Sequence, residues 1–247
     1  MMQDYFVVIP SRYSSVRLPG KPLMELNGKP MIQHVFECGL NSGASKVIIA
    51  TESKLIADTA ESFGAQVCMT SDQHNSGTER IAEVANLLDW DDTQIVVNLQ
   101  GDEPLMPHSA IKECVNLLNN NVVDMSTLAS PFLSRNDFKN PNCVKVICDH
   151  KSNAIYFSRS TIPYNKSPHA TEISMNIALH HHGIYAYRCG VLRKLVAARP
   201  SPIETSEKLE QLRAISLGMK IGVCSPKERP GMGVDTIEDL EAISKLI

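Results

Sequence analysis

Hydrophobic residues recur along this chain in two alternating rhythms. Short solid runs at residues 5–9, 46–50 and 94–99 suit strands buried on both faces. Between them, residues 31–40, 54–63 and 77–88 space their apolar side chains three and four apart, as on one face of a helix. In the first helix that stripe is Met31, Ile32, Val35, Phe36 and Leu40. Ser53 can cap the second helix and Gly64 can end it. Residues 67–69 add a short strand. The alternation predicts βαβ units with right-handed crossovers, and so a parallel sheet with helices on both faces. Ligands bind such sheets at the carboxyl ends of the strands. Three polar segments follow three strands here, at residues 10–21, 51–53 and 100–104.

The pattern loosens after about residue 122. Residues 124–129, 144–148 and 154–157 read as strands with less helix between them, and 158–178 as a polar loop or lid with two prolines. A strand at 183–187, a short helix at 191–198, a helix at 207–217 ended by Gly218, a strand at 220–224 and a helix at 237–246 complete the chain. The expected fold is α/β, a Rossmann-like three-layer sandwich with a mostly parallel sheet and a smaller, less regular inserted subregion. No linker or repeat divides it. Residues 1–247 read as one domain, with the subregion at about 130–200.

Composition narrows the function. The chain has 24 Lys and Arg against 27 Asp and Glu, a formal charge of −3. That balance argues against broad nucleic-acid binding, so an anionic substrate has to be held by local cations. No apolar run reaches the length of a membrane span, and the N-terminus lacks the features of a secretion signal. The seven cysteines form no CxxC pair and read as reduced thiols. The expected location is the cytoplasm.

Those local cations stand directly after the first strand. Residues 10–23 read PSRYSSVRLPGKPL and place Arg12, Arg17 and Lys21 among Ser14, Ser15 and Gly20. Backbone N–H groups of such a turn can cradle phosphate, while Arg and Lys add charge. The loop is not a Walker A motif, because both Gly-Lys pairs are followed by Pro. Nor is there a dinucleotide fingerprint, since Gly231-x-Gly233 is followed by Thr236 where a third glycine belongs. Asp102 lies just past the strand at 94–99, where Gly101 lets the backbone turn closely. Alternation along residues 180–187 puts His181, Gly183, Tyr185 and Tyr187 on one face. His180 and His182 are then expected at the surface.

The loop resembles the signature of the sugar-activating nucleotidyltransferases. More narrowly, the chain resembles the 3-deoxy-manno-octulosonate (Kdo) cytidylyltransferase family of lipopolysaccharide biosynthesis. The likeness continues through Ser76-Gly77-Thr78-Glu79-Arg80, Asn98-Leu99-Gln100-Gly101-Asp102-Glu103-Pro104, Asn142-Cys143-Val144-Lys145-Val146, Tyr156-Phe157-Ser158-Arg159, Gly183-Ile184-Tyr185, Leu209-Glu210-Gln211-Leu212-Arg213 and Gly233-Val234-Asp235-Thr236. It implies a fold of the nucleotide-diphospho-sugar transferase type, CTP and Kdo as substrates, and a homodimer.

It also implies roles. Arg12, Arg17, Lys21 and Asp102 serve catalysis. Pro10, Arg12, Ser15, Lys21, Arg80 and Gln100 hold the nucleotide. Arg159, His181, Tyr185, Glu210 and Gln211 hold the sugar acid, with Arg159 on its carboxylate. Asp102 and Asp235 hold Mg²⁺ on the α-phosphate. Three plainer readings stand beside these: Asp235 as the cap of the last helix, Arg80 as an exposed helix charge, and Glu207, Glu210 and Gln211 as a solvated helical stripe. Asp239 reads as a surface charge and Glu103 as a loop neighbour. The alternatives for function are the same chemistry on an 8-amino Kdo analogue or a sialic acid, another nucleotide, or a non-catalytic nucleotide-binding protein on the same fold.

Overall fold

The computed structural model describes residues 4–14, 18–120, 122–166 and 170–247. The predicted Ser15 and Arg17 lie outside the described residues. The first strand, β1 (Tyr5–Pro10), leads through a short 3₁₀ turn at Lys21–Leu23 to a hairpin of β2 (Glu25–Leu26) and β3 (Lys29–Pro30). Asn27 and Gly28 turn that hairpin with φ of 46° and 76°, the left-handed pair a two-residue turn demands. Then follow α1 (Met31–Asn41), β4 (Lys46–Thr51), α2 (Lys54–Ser62), β5 (Gln66–Met69), α3 (Gly77–Leu87) and β6 (Ile95–Asn98). Ser53 and Ser76 cap α2 and α3 with their hydroxyls.

The remainder runs α4 (His108–Asn120), β7 (Met125–Pro131), α5 (Arg135–Lys139), β8 (Lys145–Cys148), β9 (Ala154–Ser158), α6 (Ala170–Ile177), β10 (Leu179–Arg188), α7 (Cys189–Ala197), α8 (Pro202–Glu207), α9 (Gln211–Ser216), β11 (Ile221–Cys224) and α10 (Ile237–Ser244). The main sheet has the order β11-β7-β10-β6-β1-β4-β5, with β8 and β9 attached beside β10. Along that order neighbouring pairs are parallel except at β10, which runs against both β6 and β7, and the attached β8 and β9 pair antiparallel. One hydrophobic cluster packs α1, α2 and α4 on one face, and a second packs α3, α7 and α9 on the other. The mostly parallel, three-layer expectation therefore describes the molecule.

The β2–β3 hairpin and α5 were not predicted, and three further differences bear on the core or the site. α4 went unread, although Ala110, Ile111, Cys114, Val115 and Leu118 form a helical stripe that is wholly buried. The expected loop at 158–178 contains α6, pinned where the Ser174 hydroxyl donates to the Pro163 carbonyl at 2.6 Å. The expected helix at 207–217 forms only as α9, because Glu207 ends the preceding α8 and Lys208, whose φ of 55° is left-handed, caps it. Glu207, Glu210 and Gln211 thus share no helical stripe: Glu207 ends α8, and Glu210 stands immediately before α9.

Candidate active site

A cavity of about 360 Å³ opens at the carboxyl ends of β1 and β6. It is lined by Pro10, Ser11, Arg12 and Lys21 from β1 and its loop, by the adjoining segment Gln100–Asp102, by the turn before α3, and by Glu210 and Asp235. The β1 loop is built to stay close to the sheet. The Ser11 N–H donates to the Ala50 carbonyl at 2.8 Å, and the Gly20 N–H closes the loop onto the Tyr13 carbonyl at 3.0 Å. Gly20 has φ 70°, which suits a residue without a side chain. Gly101 is required by proximity instead: a Cβ there would lie 2.5 Å from Ser11 Oγ and 3.1 Å from the Pro10 carbonyl oxygen.

Two carboxylates meet one cation on this floor. Lys21 Nζ donates to Asp102 Oδ2 and to the Val234 carbonyl, each at 2.6 Å, and stands 3.8 Å from Asp235 Oδ1. The strap bearing Asp235 is tied to the Asp102 turn by the Val234 N–H on the Asp102 carbonyl at 2.9 Å. Asp235 is not the helix cap. Thr236 caps α10, and Asp239 accepts the N–H groups of Asp235 and Thr236 at 3.0 and 2.9 Å. Asp239, expected as a plain surface charge, is thus the second half of a capping box. Hard carboxylate oxygens converging on one positive atom are the donor set that magnesium accepts, with phosphate oxygens completing it. Among the described residues no group of three or more His, Cys, Asp or Glu gathers to hold a metal by itself, here or elsewhere, so this pair depends on substrate oxygens to complete a site. Next to the pair, burial together with the charges of Asp102 and Asp235 pushes the Glu103 carboxyl up to about 8.

Arg80, which also lines the cavity, is only 4% exposed, so it is not a solvated helix charge. Its Nη2 lies 2.8 Å from Glu52 Oε2, and its Nη1 donates to the Thr70 hydroxyl. Glu52 Oε1 accepts the Tyr13 N–H at 2.9 Å, so one carboxylate holds both the β1 loop and Arg80. Gln100 Nε2 donates to Asn98 Oδ1 at 2.7 Å, which leaves its amide oxygen toward the cavity side free of a side-chain partner among the described residues. Gly77 packs against Pro10 and Gln100: a Cβ on it would lie 3.0 Å from Pro10 Cγ and 3.5 Å from both amide atoms.

The residues expected at the sugar acid lie beyond Glu210. The Glu210 carboxylate accepts the Thr78 hydroxyl at 2.6 Å, and burial raises its pKa. Its charge, with burial, also raises the Tyr185 phenol. The rings of Tyr185 and His181 are 5.5 Å apart, and His181 meets Phe157 edge-on at 4.9 Å. Gly183 and Ile184 form a bulge in β10, and because two residues are inserted His181 and Tyr185 stay on one face. Arg159 follows β9. Three of its five N–H bonds are committed to the carbonyls of Glu207, Pro141 and Lys208, which leaves two for a ligand. Gln211 is buried, and its Nε2 has no partner among the described residues.

His182 is a correction. It is 8% exposed, not at the surface, and its Nε2 lies 2.8 Å from Ser130 Oγ. His180 is half-buried and stacks on Phe132. The cause is that β10 is an interior strand with both faces covered. Sequence reasoning also passed over Glu52 and Thr78. Both sat in segments already marked, the polar stretch 51–53 after a strand and the Ser76–Arg80 motif. What linked them to the site was tertiary pairing, which spacing alone does not show.

Comparison with known proteins agrees with this geometry. Residues 6–221 match the family model described as cytidylyltransferase. A 3-deoxy-manno-octulosonate cytidylyltransferase of Haemophilus influenzae is 48% identical over 250 residues, covering 99% of this chain and 98% of its own. One from Actinobacillus pleuropneumoniae is 47% identical, covering 99% of each. A solved CMP:2-keto-3-deoxy-manno-octonic acid synthetase complexed with CTP superposes with a TM-score of 0.90 at 37% identity, over 99% of this chain and 98% of that one. A 4-diphosphocytidyl-2C-methyl-D-erythritol synthase superposes at 0.66 with 14% identity over 100% of this chain and 99% of that one, and shares the fold alone.

Proposed function

The chain belongs to the cytidylyltransferase family, and from that premise we propose that it joins the CMP moiety of CTP to 3-deoxy-manno-octulosonate and releases pyrophosphate. The observation that carries this reading is one cavity at the strand ends in which a cation-bearing loop, the Asp102–Asp235 pair and Glu210 face one another. In the reaction the anomeric hydroxyl oxygen forms a bond to the α-phosphorus. The bond from that phosphorus to the α–β bridging oxygen breaks, pyrophosphate departs with the released charge, and the hydroxyl proton is released to solvent. Pro10, Arg80 and Gln100 hold the cytosine, where an amide supplies both donor and acceptor. The triphosphate lies on the β1 loop, with Arg12, Ser15, Arg17 and Lys21 as its donors and counter-charges. Arg159, His181, Tyr185, Glu210 and Gln211 hold the sugar acid, with the two uncommitted Arg159 N–H bonds on its carboxylate.

Asp102 and Asp235 would hold Mg²⁺, whose chemistry when bound is Lewis-acid withdrawal of charge at the α-phosphate and the attacking oxygen. The protein's own part is alignment and charge neutralisation, which need no covalent nucleophile. Among the described residues no helix is long and apolar enough to cross a membrane, and the seven cysteines are all free. Both accord with work on nucleotide pools in the cytoplasm. A homodimer through region 130–200 is part of the proposal, supported by the exposed Leu133, Tyr164, Ile173 and Ile177 there.

A pyrophosphate-release assay with CTP, Mg²⁺ and a panel of sugar acids tests the function. Kdo with CTP should turn over fastest, chelation should stop the reaction, and Asp102→Ala should lose it while staying folded. Equal turnover of a sialic acid, or near-normal release by Asp102→Ala, would overturn the substrate or the metal assignment respectively.

A further inference from the structure

We propose that Thr78 is a positioning residue that sets the register between the two substrates, by fixing the Glu210 carboxylate to the turn that walls the nucleotide. This inference rests on the reading of the cavity given above. The first turn of α3 faces two ways. Gly77 packs on Pro10 and Gln100 at the nucleotide wall, and Arg80 lines the same cavity. Between them, the Thr78 hydroxyl donates at 2.6 Å to a carboxylate that lies 132 residues away in the chain. Thr78 is itself buried, at 8% exposure, so solvent offers Glu210 no easy substitute.

Bonds from a hydroxyl to a carboxylate are short and strong. The N-terminus of α3 adds the positive end of a helix dipole on the same side. Ser76, its cap, is engaged with the Glu79 N–H and is the lesser contact. Nearby, the Tyr187 phenol is 1% exposed and has no hydrogen-bond partner among the described residues, and Asn98 receives the Gln100 amide. The residue assigned to the base and the one assigned to the sugar acid therefore meet the same turn, Gln100 packing on Gly77 and Glu210 accepting from Thr78. A small displacement of Glu210 relative to that turn would misalign the acceptor oxygen with the α-phosphorus, the quantity on which alignment catalysis depends.

The test compares Thr78→Val, which keeps the shape and removes the hydroxyl, with Thr78→Ser, which restores it. Steady-state pyrophosphate release should show KM for Kdo raised about tenfold in Thr78→Val, the loss of one charge-assisted bond, together with a lower kcat from the misaligned acceptor oxygen. KM for CTP and equilibrium binding of CTP alone should stay within about twofold. Thr78→Ser should return to near wild type. In a Glu210→Ala background Thr78→Val should add nothing, since Thr78 acts through that carboxylate. Equal rises in both KM values, a full additional loss in the Glu210→Ala background, or no change in KM for Kdo would each overturn the role. If Thr78→Val folds poorly by circular dichroism, Thr78→Ser against Thr78→Ala gives the same KM split. Absence of wild-type turnover with Kdo would instead sink the proposed function, and CTP binding by the variants would still be read separately.

Discussion

Acidification should expose the burial of His182 directly. Burial and the neighbouring charges of His180 and Arg229 lower its pKa from 6.5 to about 3. A histidine depressed in this way contributes stability that is complete above the unfolded value and is lost as pH falls through it, because only the unfolded chain takes the proton. At pH 5 the unfolded state gains RT ln(1 + 10^1.5), about 2 kcal/mol, while at pH 7 it gains only a few tenths. The folded form stays neutral over that whole interval. Other groups titrate too: the Glu103 carboxyl, raised to about 8, has the opposite sign and stabilises the fold on acidification. The informative quantity is therefore a double difference. Urea unfolding of wild type and of His182→Gln at pH 7 and pH 5 cancels every group but one. The stability gap between the two proteins should shrink by about 2 kcal/mol at pH 5. His181 stays neutral at both pH values, being lowered to about 3 itself, so its altered surroundings in the variant do not enter. A gap that does not change with pH would refute the reasoning, since His182 would then be equally protonated in both states.

Two further expectations test packing around the site. Arg213→Met breaks a buried bidentate pair with Glu204, held by bonds of 2.9 and 2.6 Å with both side chains 9% exposed. It should lower unfolding free energy by about 3–5 kcal/mol in urea titration, and a loss below about 1 kcal/mol would contradict the pairing. Gly101→Ala places a Cβ 2.5 Å from Ser11 Oγ, so kcat/KM for CTP should fall at least tenfold. The double variant Gly101→Ala/Ser11→Gly should recover part of that loss in the same assay, and no recovery would mean that the Pro10 carbonyl, 3.1 Å away, governs the clash.

How far the sequence could be read depended on whether a signal was local. The strands β1, β4 and β6 were legible because runs such as Val7-Val8-Ile9 are buried on both faces and hold no polar position to confuse the period. Pro10, Arg12, Lys21, Gln100 and Asp102 were legible as the lining of one cavity because each stands at or after a strand end. What stayed hidden was set by partners far away in the chain. The break at Lys208 gives no signal in the periodicity of residues 207–217, because a left-handed lysine looks like any other lysine on a helix face. His182 looked like a surface residue because alternation assigns faces but does not say whether both faces are covered. Asp235 and Thr236 competed for one cap, and only the Thr236–Asp239 pairing decides between them.

The reversed strand at the centre of the sheet has a consequence for how the chain is made. β10 is the bridge between β6 and β7, and it is hydrogen-bonded to β8 as well. Everything needed for those two neighbours has left the ribosome by residue 131, yet their shared partner ends only at Arg188. During the interval both strands have a side with no partner, and such edges invite pairing with another chain. Synthesis of residues 132–188 is thus the step in which the two halves of the molecule become one sheet. A nascent chain stopped short of β10 is the form most exposed to aggregation.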